Sequence, residues 1–298
     1  MADAVRLSDG REASYEVVGR GEPLLMFPGG PGLPAAIVRA DAELFADRFT
    51  AYLIDPHGSG GSTPPADPAG YDHCGHAAFY DEVRAALGLE RVSVAGVSFG
   101  GTVALTYAAL HPGRTIRCLP VSAFAFGVAA DEARGGEAEA DMEAMLVRHA
   151  GAEWYPEARA AWDGWTETTM AATHGAEIEA LFDHTLPLYC AHPDRPDVAE
   201  ALQELRSVLR ADLAAMKAWE GGLYQKIDLG PLLPDIRCPT LVVAGELDLI
   251  CGPAQASGIA AAIPGATLAT IPECGHFPAL EAAGAYHAAV ADWLEGGG

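Results

Sequence analysis

Gly96-Val97-Ser98-Phe99-Gly100 is the stretch whose residue types and spacing most directly imply chemistry. The apolar run Arg91–Ala95 before it reads as a strand, and Gly101–Leu110 after it reads as a helix. A strand-to-helix turn this tight forces the serine into a strained conformation and lifts its hydroxyl above the sheet, where it can act as a nucleophile. Glycines on either side remove the Cβ atoms that would collide there. In a chain with 34 glycines the pentapeptide alone says little, and the plain alternative is a turn with a serine helix cap. Its strand–helix setting favours the nucleophile.

A second glycine-rich stretch, Phe27-Pro28-Gly29-Gly30-Pro31-Gly32, follows directly on the apolar run Leu24–Phe27. Attack of a serine on an acyl carbonyl places negative charge on the former carbonyl oxygen, and two backbone N–H groups must point at it. Phe99, just past the serine, and Gly30 are the expected donors. Pro28, Pro31 and Pro34 carry no N–H but stiffen the loop. The alternative is a Gly/Pro turn without function.

Positioning such groups requires a layered scaffold, and the rest of the chain is patterned for one. Apolar runs at Leu24–Phe27, Ala51–Ile54, Val92–Ala95, Ile116–Val121, Leu241–Ala244 and Thr267–Ile271 alternate with helical patterns at Ala77–Leu87, Thr102–Leu110, Ala254–Ile263 and Ala282–Leu294. Strands that are apolar on both faces and separated by helices predict an α/β fold with a mostly parallel sheet covered on both sides. The region from Phe124 to Asp235 lacks a strand pattern and is rich in Ala, Glu, Trp and Met at helical spacing. Residues 1–123 and 236–298 are therefore expected to form the core, with 124–235 a helical cap bounded by Gly127 and Gly230–Pro234.

Composition narrows the partners. Forty-one acidic against 18 basic residues give a net charge of −23, which argues against nucleic acid or an anionic membrane. No run approaches the ~18–20 apolar residues of a membrane span, and the first residues, MADAVRLSDGREA, lack the apolar core of a secretion signal. Six scattered cysteines without a Cys-x-x-Cys pair read as free thiols in a reducing cytoplasm. No His, Asp or Glu cluster has metal-ligand spacing, and serine chemistry needs neither metal nor cofactor.

In these features the chain resembles the α/β-hydrolases, in which the order is nucleophile, acid, histidine. The family's Gly-x-x-Asp and Gly-His-Phe patterns map onto Gly245–Asp248 in TLVVAGELDLI and Gly275–Phe277 in IPECGHFPALE. The resemblance thus implies Ser98 as nucleophile, His276 as general base then acid, and Asp248 as the carboxylate that orients the imidazole. Glu246 is the alternative acid. Cys251 and Cys274 flank these loops and are expected to serve packing. His57, in the loop DPHGSGGS, is expected either behind the site or facing the substrate.

Within that superfamily the glycine loop is similar to the His-Gly-Gly-Pro-Gly signature of proline iminopeptidases, with Pro28 in place of the histidine. Ala160–Glu167 (AAWDGWTE) resembles that family's Ala-x-x-Trp-x-x-Trp-Glu stretch, except that Thr166 follows the second tryptophan and Glu167 comes one later. The family's second amine-binding glutamate maps near Asp183–Cys190, onto Asp183 or Leu186, and Pro56-His57 stands where the family has Gln-Arg. The resemblance implies Glu167 and Asp183 as substrate-amine carboxylates, with solvated surface acids the alternative for both. Trp165 and Tyr189, among the apolar side chains of the cap, are expected to line the substrate pocket, with packing between cap helices the alternative. The expected activity is a serine amidohydrolase that releases an N-terminal aminoacyl group from a peptide or hydrophobic amide. An esterase or lactonase of identical acyl-enzyme chemistry is the competing reading, and a catalytically inactive binding protein the remote one.

Overall fold

The computed structural model describes residues 3–297, without the side chains of 137–141. Eight strands form a single sheet in the order β1-β2-β4-β3-β5-β6-β7-β8. They are β1 (Asp3–Arg6), β2 (Glu12–Gly19), β3 (Glu22–Phe27), β4 (Phe49–Ile54), β5 (Val92–Val97), β6 (Thr115–Val121), β7 (Leu241–Gly245) and β8 (Thr267–Ile271). From β4 to β8 every neighbouring pair is parallel, whereas β1 and β2 add an antiparallel edge through the pairing of β2 with β4.

Helices cover both faces, as two-sided apolar strands require. Successive side chains of a strand point to opposite faces, and here they feed two separate cores. Leu25, Phe27, Val92, Val94, Val242 and Ala244 face α2 (His73–Ala86), α3 (Phe99–Leu110) and α11 (Pro253–Ala262). Leu24, Met26, Ala95, Val97, Leu241 and Val243 face α1 (Arg39–Leu44) and α13 (Ala283–Glu295). Helix α3 is buried over eleven of its twelve residues and packs on β5 directly behind Ser98. A Leu→Ala truncation in either layer would cost about 2–5 kcal/mol.

Between β6 and β7 the chain leaves the sheet and forms α4 (Val128–Arg134), α5 (Glu137–Leu146), α6 (Tyr155–Asp163), α7 (Trp165–Ala171), α8 (Gly175–Tyr189), α9 (Pro196–Val208) and α10 (Leu213–Ala218). The outgoing and returning segments pair with each other: Leu229 N–H donates to Ala125 O at 2.9 Å and Gly127 N–H to Ile227 O at 2.8 Å. Gln255 of α11 closes the other edge, accepting from the N–H groups of Ala125 and Phe126 and donating to Phe126 O at 2.8 Å. Phe124, Ala125, Phe126, Ile227, Leu229 and Leu233 are buried in the sheet's own core. The helical excursion is therefore narrower than residues 124–235 at both ends. The last short helix of the chain before α13 is α12 (Pro278–Glu281).

No helix among the described residues is long and apolar enough to cross a membrane. All six cysteines are free.

Candidate active site

Ser98 sits between the last residue of β5 and the first of α3 with φ 58° and ψ −125°. Non-glycine residues rarely occupy positive φ, and holding one there costs on the order of 1–3 kcal/mol. Close packing on every side holds the turn. A Cβ on Gly96 would overlap the Gly100 carbonyl, and one on Gly100 would overlap the carbonyl of Phe27. Both glycines of the pentapeptide are thus required by contact. Ser98 N–H donates to Val121 O at 2.9 Å, and Ser98 O accepts from Gly101 at 2.9 Å and Thr102 at 3.2 Å.

The glycine loop after β3 lies against this turn. A Cβ on Gly29 would stand 3.3 Å from Ser98 Cβ, and Gly30 has φ 120°, a conformation L side chains rarely adopt. Phe99 opens α3, and the first N–H groups of a helix have no intrahelical acceptor. The turn and the loop together therefore place free backbone donors and the positive end of a helix dipole beside the serine.

Asp248 and His276 come together as a buried pair, 0% and 2% exposed. Nδ1 of His276 lies 2.9 Å from Oδ1 and 3.0 Å from Oδ2 of Asp248. An ionised carboxylate only accepts, so Nδ1 carries the hydrogen and Nε2 is left as the basic nitrogen. Oδ1 also accepts from the N–H groups of Ile250 at 2.8 Å and Cys251 at 3.0 Å, which fixes the carboxylate in turn. Glu246 is exposed and its carboxylate accepts from Glu273 N at 3.2 Å, away from the imidazole.

Ser98 and His276 open together onto a cavity of about 490 Å³ between the sheet edge and the helical insertion. Trp165 and Tyr189 line it, with Trp162. The Tyr189 ring stands 5.5 Å from the His276 ring and stacks on Phe277 at 5.8 Å; burial raises its phenol above the usual range. On another wall Phe124, Trp219 and Tyr224 form an aromatic group with centroids 5.2–5.6 Å apart.

Three residues expected at the substrate lie elsewhere. Glu167 is exposed and does not line the cavity. It follows Trp165 by two helical positions, which is about 200° around α7, so when the indole points inward the carboxylate points to solvent. Asp183 is also exposed and faces Arg206 of α9, with Nε 3.6 Å from Oδ1. His57 is buried away from the cavity, its ring against His76 at 4.4 Å and Phe79 at 4.9 Å. Burial lowers its pKa to about 4, so it is neutral packing.

Asp41, Asp131 and Glu220 are the carboxylates on the cavity lining, none of which the sequence singled out, and the one beside Trp165 is Glu220. Its Oε1 accepts from Trp165 Nε1 at 3.0 Å and its Oε2 from Thr166 Oγ1 at 2.7 Å. Among the described residues no group of His, Cys, Asp and Glu could hold a metal ion.

A family model for the alpha/beta hydrolase fold matches residues 22–283, and the chain belongs to that family. It is 27% identical over 288 residues to the proline iminopeptidase of Levilactobacillus brevis, covering 91% of this chain and 88% of the relative. An alpha/beta fold family hydrolase from Bacillus anthracis str. Sterne superposes with a TM-score of 0.78 at 20% identity, covering 99% of both chains. The enol-lactonase from Burkholderia xenovorans LB400 superposes with a TM-score of 0.73 at 22% identity, covering 98% of this chain and all of that one. Membership of this family makes the chain a hydrolase.

Proposed function

We propose that the chain is a serine hydrolase of the iminopeptidase type, cleaving an amide that joins an amine-bearing acyl group to a small apolar partner. Ser98 Oγ attacks the carbonyl carbon while His276 Nε2 takes its proton, and Asp248 stabilises the imidazolium. The N–H groups of Phe99 and Gly30 receive the oxyanion. His276 then protonates the departing amine, and water, activated by the same nitrogen, releases the acid.

The observation that carries the amine-specific part is Glu220, on the cavity wall next in sequence to Trp219 of the aromatic group. Each carboxylate oxygen has two lone pairs, so the bonds from Trp165 and Thr166 orient Glu220 and leave it able to accept from an ammonium. Aromatic faces within ~6 Å of a cation add attraction of their own. The similarity to proline iminopeptidases over 91% of the chain supports the same reading.

The competing reading is an esterase or lactonase. What favours it is that both Glu220 oxygens already have protein donors, so a neutral substrate leaves neither oxygen without a partner. Rates on aminoacyl arylamides, their N-acetyl forms and short acyl esters separate the two. For the amidohydrolase, acetylation and Glu220→Gln should each cost roughly 10- to 100-fold in kcat/KM on the amide, the loss of a charge-assisted hydrogen bond worth ~1.5–3 kcal/mol. Equal rates with and without the free amine would transfer the assignment to the esterase. No turnover of any acyl substrate, with Ser98 inert to phosphonates, would leave a binding protein.

A further inference from the structure

We infer that Glu281 is the positioning residue of the general base, and that it works by tying the loop carrying His276 to the end of helix α8 in the insertion. The inference rests on His276 serving Ser98 as proposed above, and it adds a residue that neither the fold nor the motif pattern supplies.

Glu281 ends α12 and is only 4% exposed, an unusual place for a carboxylate. Three backbone N–H groups converge on it. Oε2 accepts from Ala191 at 2.7 Å and from Gly275 at 3.0 Å, and Oε1 accepts from Phe277 at 3.1 Å. Gly275 and Phe277 are the two neighbours of His276, so one carboxylate grips the backbone on both sides of the imidazole. His276's own N–H donates to Tyr189 O at 2.8 Å. Tyr189 is the last residue of α8 and Ala191 lies two residues further on. Both anchors of the histidine loop therefore involve the same end of the insertion.

The surroundings leave little slack. A Cβ on Gly275 would overlap the Tyr189 carbonyl and stand 2.7 Å from Ala191 N. Arg195 donates through Nη2 to the Glu281 carbonyl at 3.1 Å, holding the end of α12 from the other side. Burial raises the Glu281 pKa, while the three N–H donors oppose that shift by favouring the charged form.

Only a carboxylate fits this geometry. Glutamine has the same shape but one acceptor oxygen, so its NH₂ would face at least one of the three N–H groups. A buried donor left without an acceptor costs about 1–3 kcal/mol, and the loop relieves that cost by moving. Movement displaces the imidazole from Ser98, and a misplacement of ~1 Å can cost about a hundredfold in rate. Because Tyr189 both lines the cavity and holds the His276 backbone, the same clamp sets the base relative to a wall of the pocket.

The test compares full-length wild type with Glu281→Gln and Arg195→Met. It reads the rate of Ser98 labelling by a fluorophosphonate, kcat and KM on a short acyl ester, and the downfield proton resonance of the His276–Asp248 hydrogen bond. Glu281→Gln should slow labelling and kcat by roughly 10- to 100-fold with KM within about twofold, and should shift or broaden the downfield resonance. Arg195→Met keeps the carboxylate but frees the end of α12 and should give a smaller change of the same kind, roughly three- to tenfold. This second variant answers the question if the first does not fold. Labelling at the wild-type rate with an unmoved resonance, or a loss confined to KM, would overturn the inference. If wild type itself resists labelling, the catalytic reading of Ser98 fails, and the resonance still reports whether Glu281 positions His276.

Discussion

Gly245 and Gly275 meet backbone to backbone: a Cβ on Gly245 would overlap the Gly275 carbonyl oxygen. One glycine ends β7 just ahead of Asp248, and the other immediately precedes His276. The acid and the base are thus registered by main-chain contact before their side chains bond. Gly245→Ala should force the two loops apart, lowering stability by about 1–3 kcal/mol, as overpacking does. Thermal denaturation measures that loss, and slower phosphonate labelling of Ser98 should accompany it. An alanine variant as stable and as reactive as wild type would mean the loops have room to separate.

Ser98 holds a backbone conformation with φ 58° that serves its hydroxyl and burdens the fold. Ser98→Ala should cut turnover by ~10³ or more and abolish covalent labelling. Ser98→Gly should do the same and also raise the melting temperature, because glycine releases strain on the order of 1–3 kcal/mol. Calorimetry on the two variants separates the effects: the glycine protein should melt above the alanine protein.

Asp248 and Glu246 stand two residues apart with opposite fates. Asp248→Asn keeps one acceptor oxygen, held by the Ile250 and Cys251 N–H groups, and sets an NH₂ donor against His276 Nδ1, which inverts the tautomer and should slow acylation by ~10⁴. Glu246→Gln changes an exposed carboxylate bonded to Glu273 N and should stay within about twofold. Stopped-flow acylation of the two variants decides between them, and a crippled Glu246→Gln would reverse the assignment.

Asp41 of α1 is buried on the cavity wall, and desolvation raises its pKa to about 7. The folded state therefore holds a proton that the unfolded chain gives up near pH 4. Stability from this group is complete below pH ~4, falls as pH rises toward 7, and then levels off. The loss amounts to about 4 kcal/mol. Urea unfolding between pH 4 and 8 should show it, and the slope should flatten in Asp41→Asn. Parallel slopes in the two proteins would show that Asp41 ionises normally.

The strands from β3 to β7 were legible because their side chains feed two cores and leave apolar runs, and β8, buried only at Ile271, was read from the short run TLATI. The antiparallel edge was not. In β2, EASYEVVG is buried at only two positions and DAVR of β1 at none, so neither carries a two-sided apolar signal. Ser98 was readable because its constraint is local, a turn that only small neighbours permit. Glu220 was not, because its meaning comes from Trp165, 55 residues away. Glu167 misled for the converse reason: a near-match in sequence placed it one position along a helix, enough to turn it to solvent. Glu281 did leave a trace, a single carboxylate in the apolar stretch FPALEAA, where an unpaired charge would not be tolerated.

The ladder between 125–127 and 227–229 means that the helices above the sheet begin and end at one point. Closing an excursion of this length costs entropy that grows only slowly with the number of residues, and the bonds at its base, with Gln255 beside them, hold its ends together. Val121 of β6 pairs directly with Val243 of β7 beneath, so the sheet's register is settled without reference to what lies between. The pocket wall is thus exchangeable in part: a different set of helices spliced at Gly127 and Ile227 would bring a new selectivity to the same nucleophile, provided it kept the end of α8, whose Tyr189 and Ala191 hold the His276 loop.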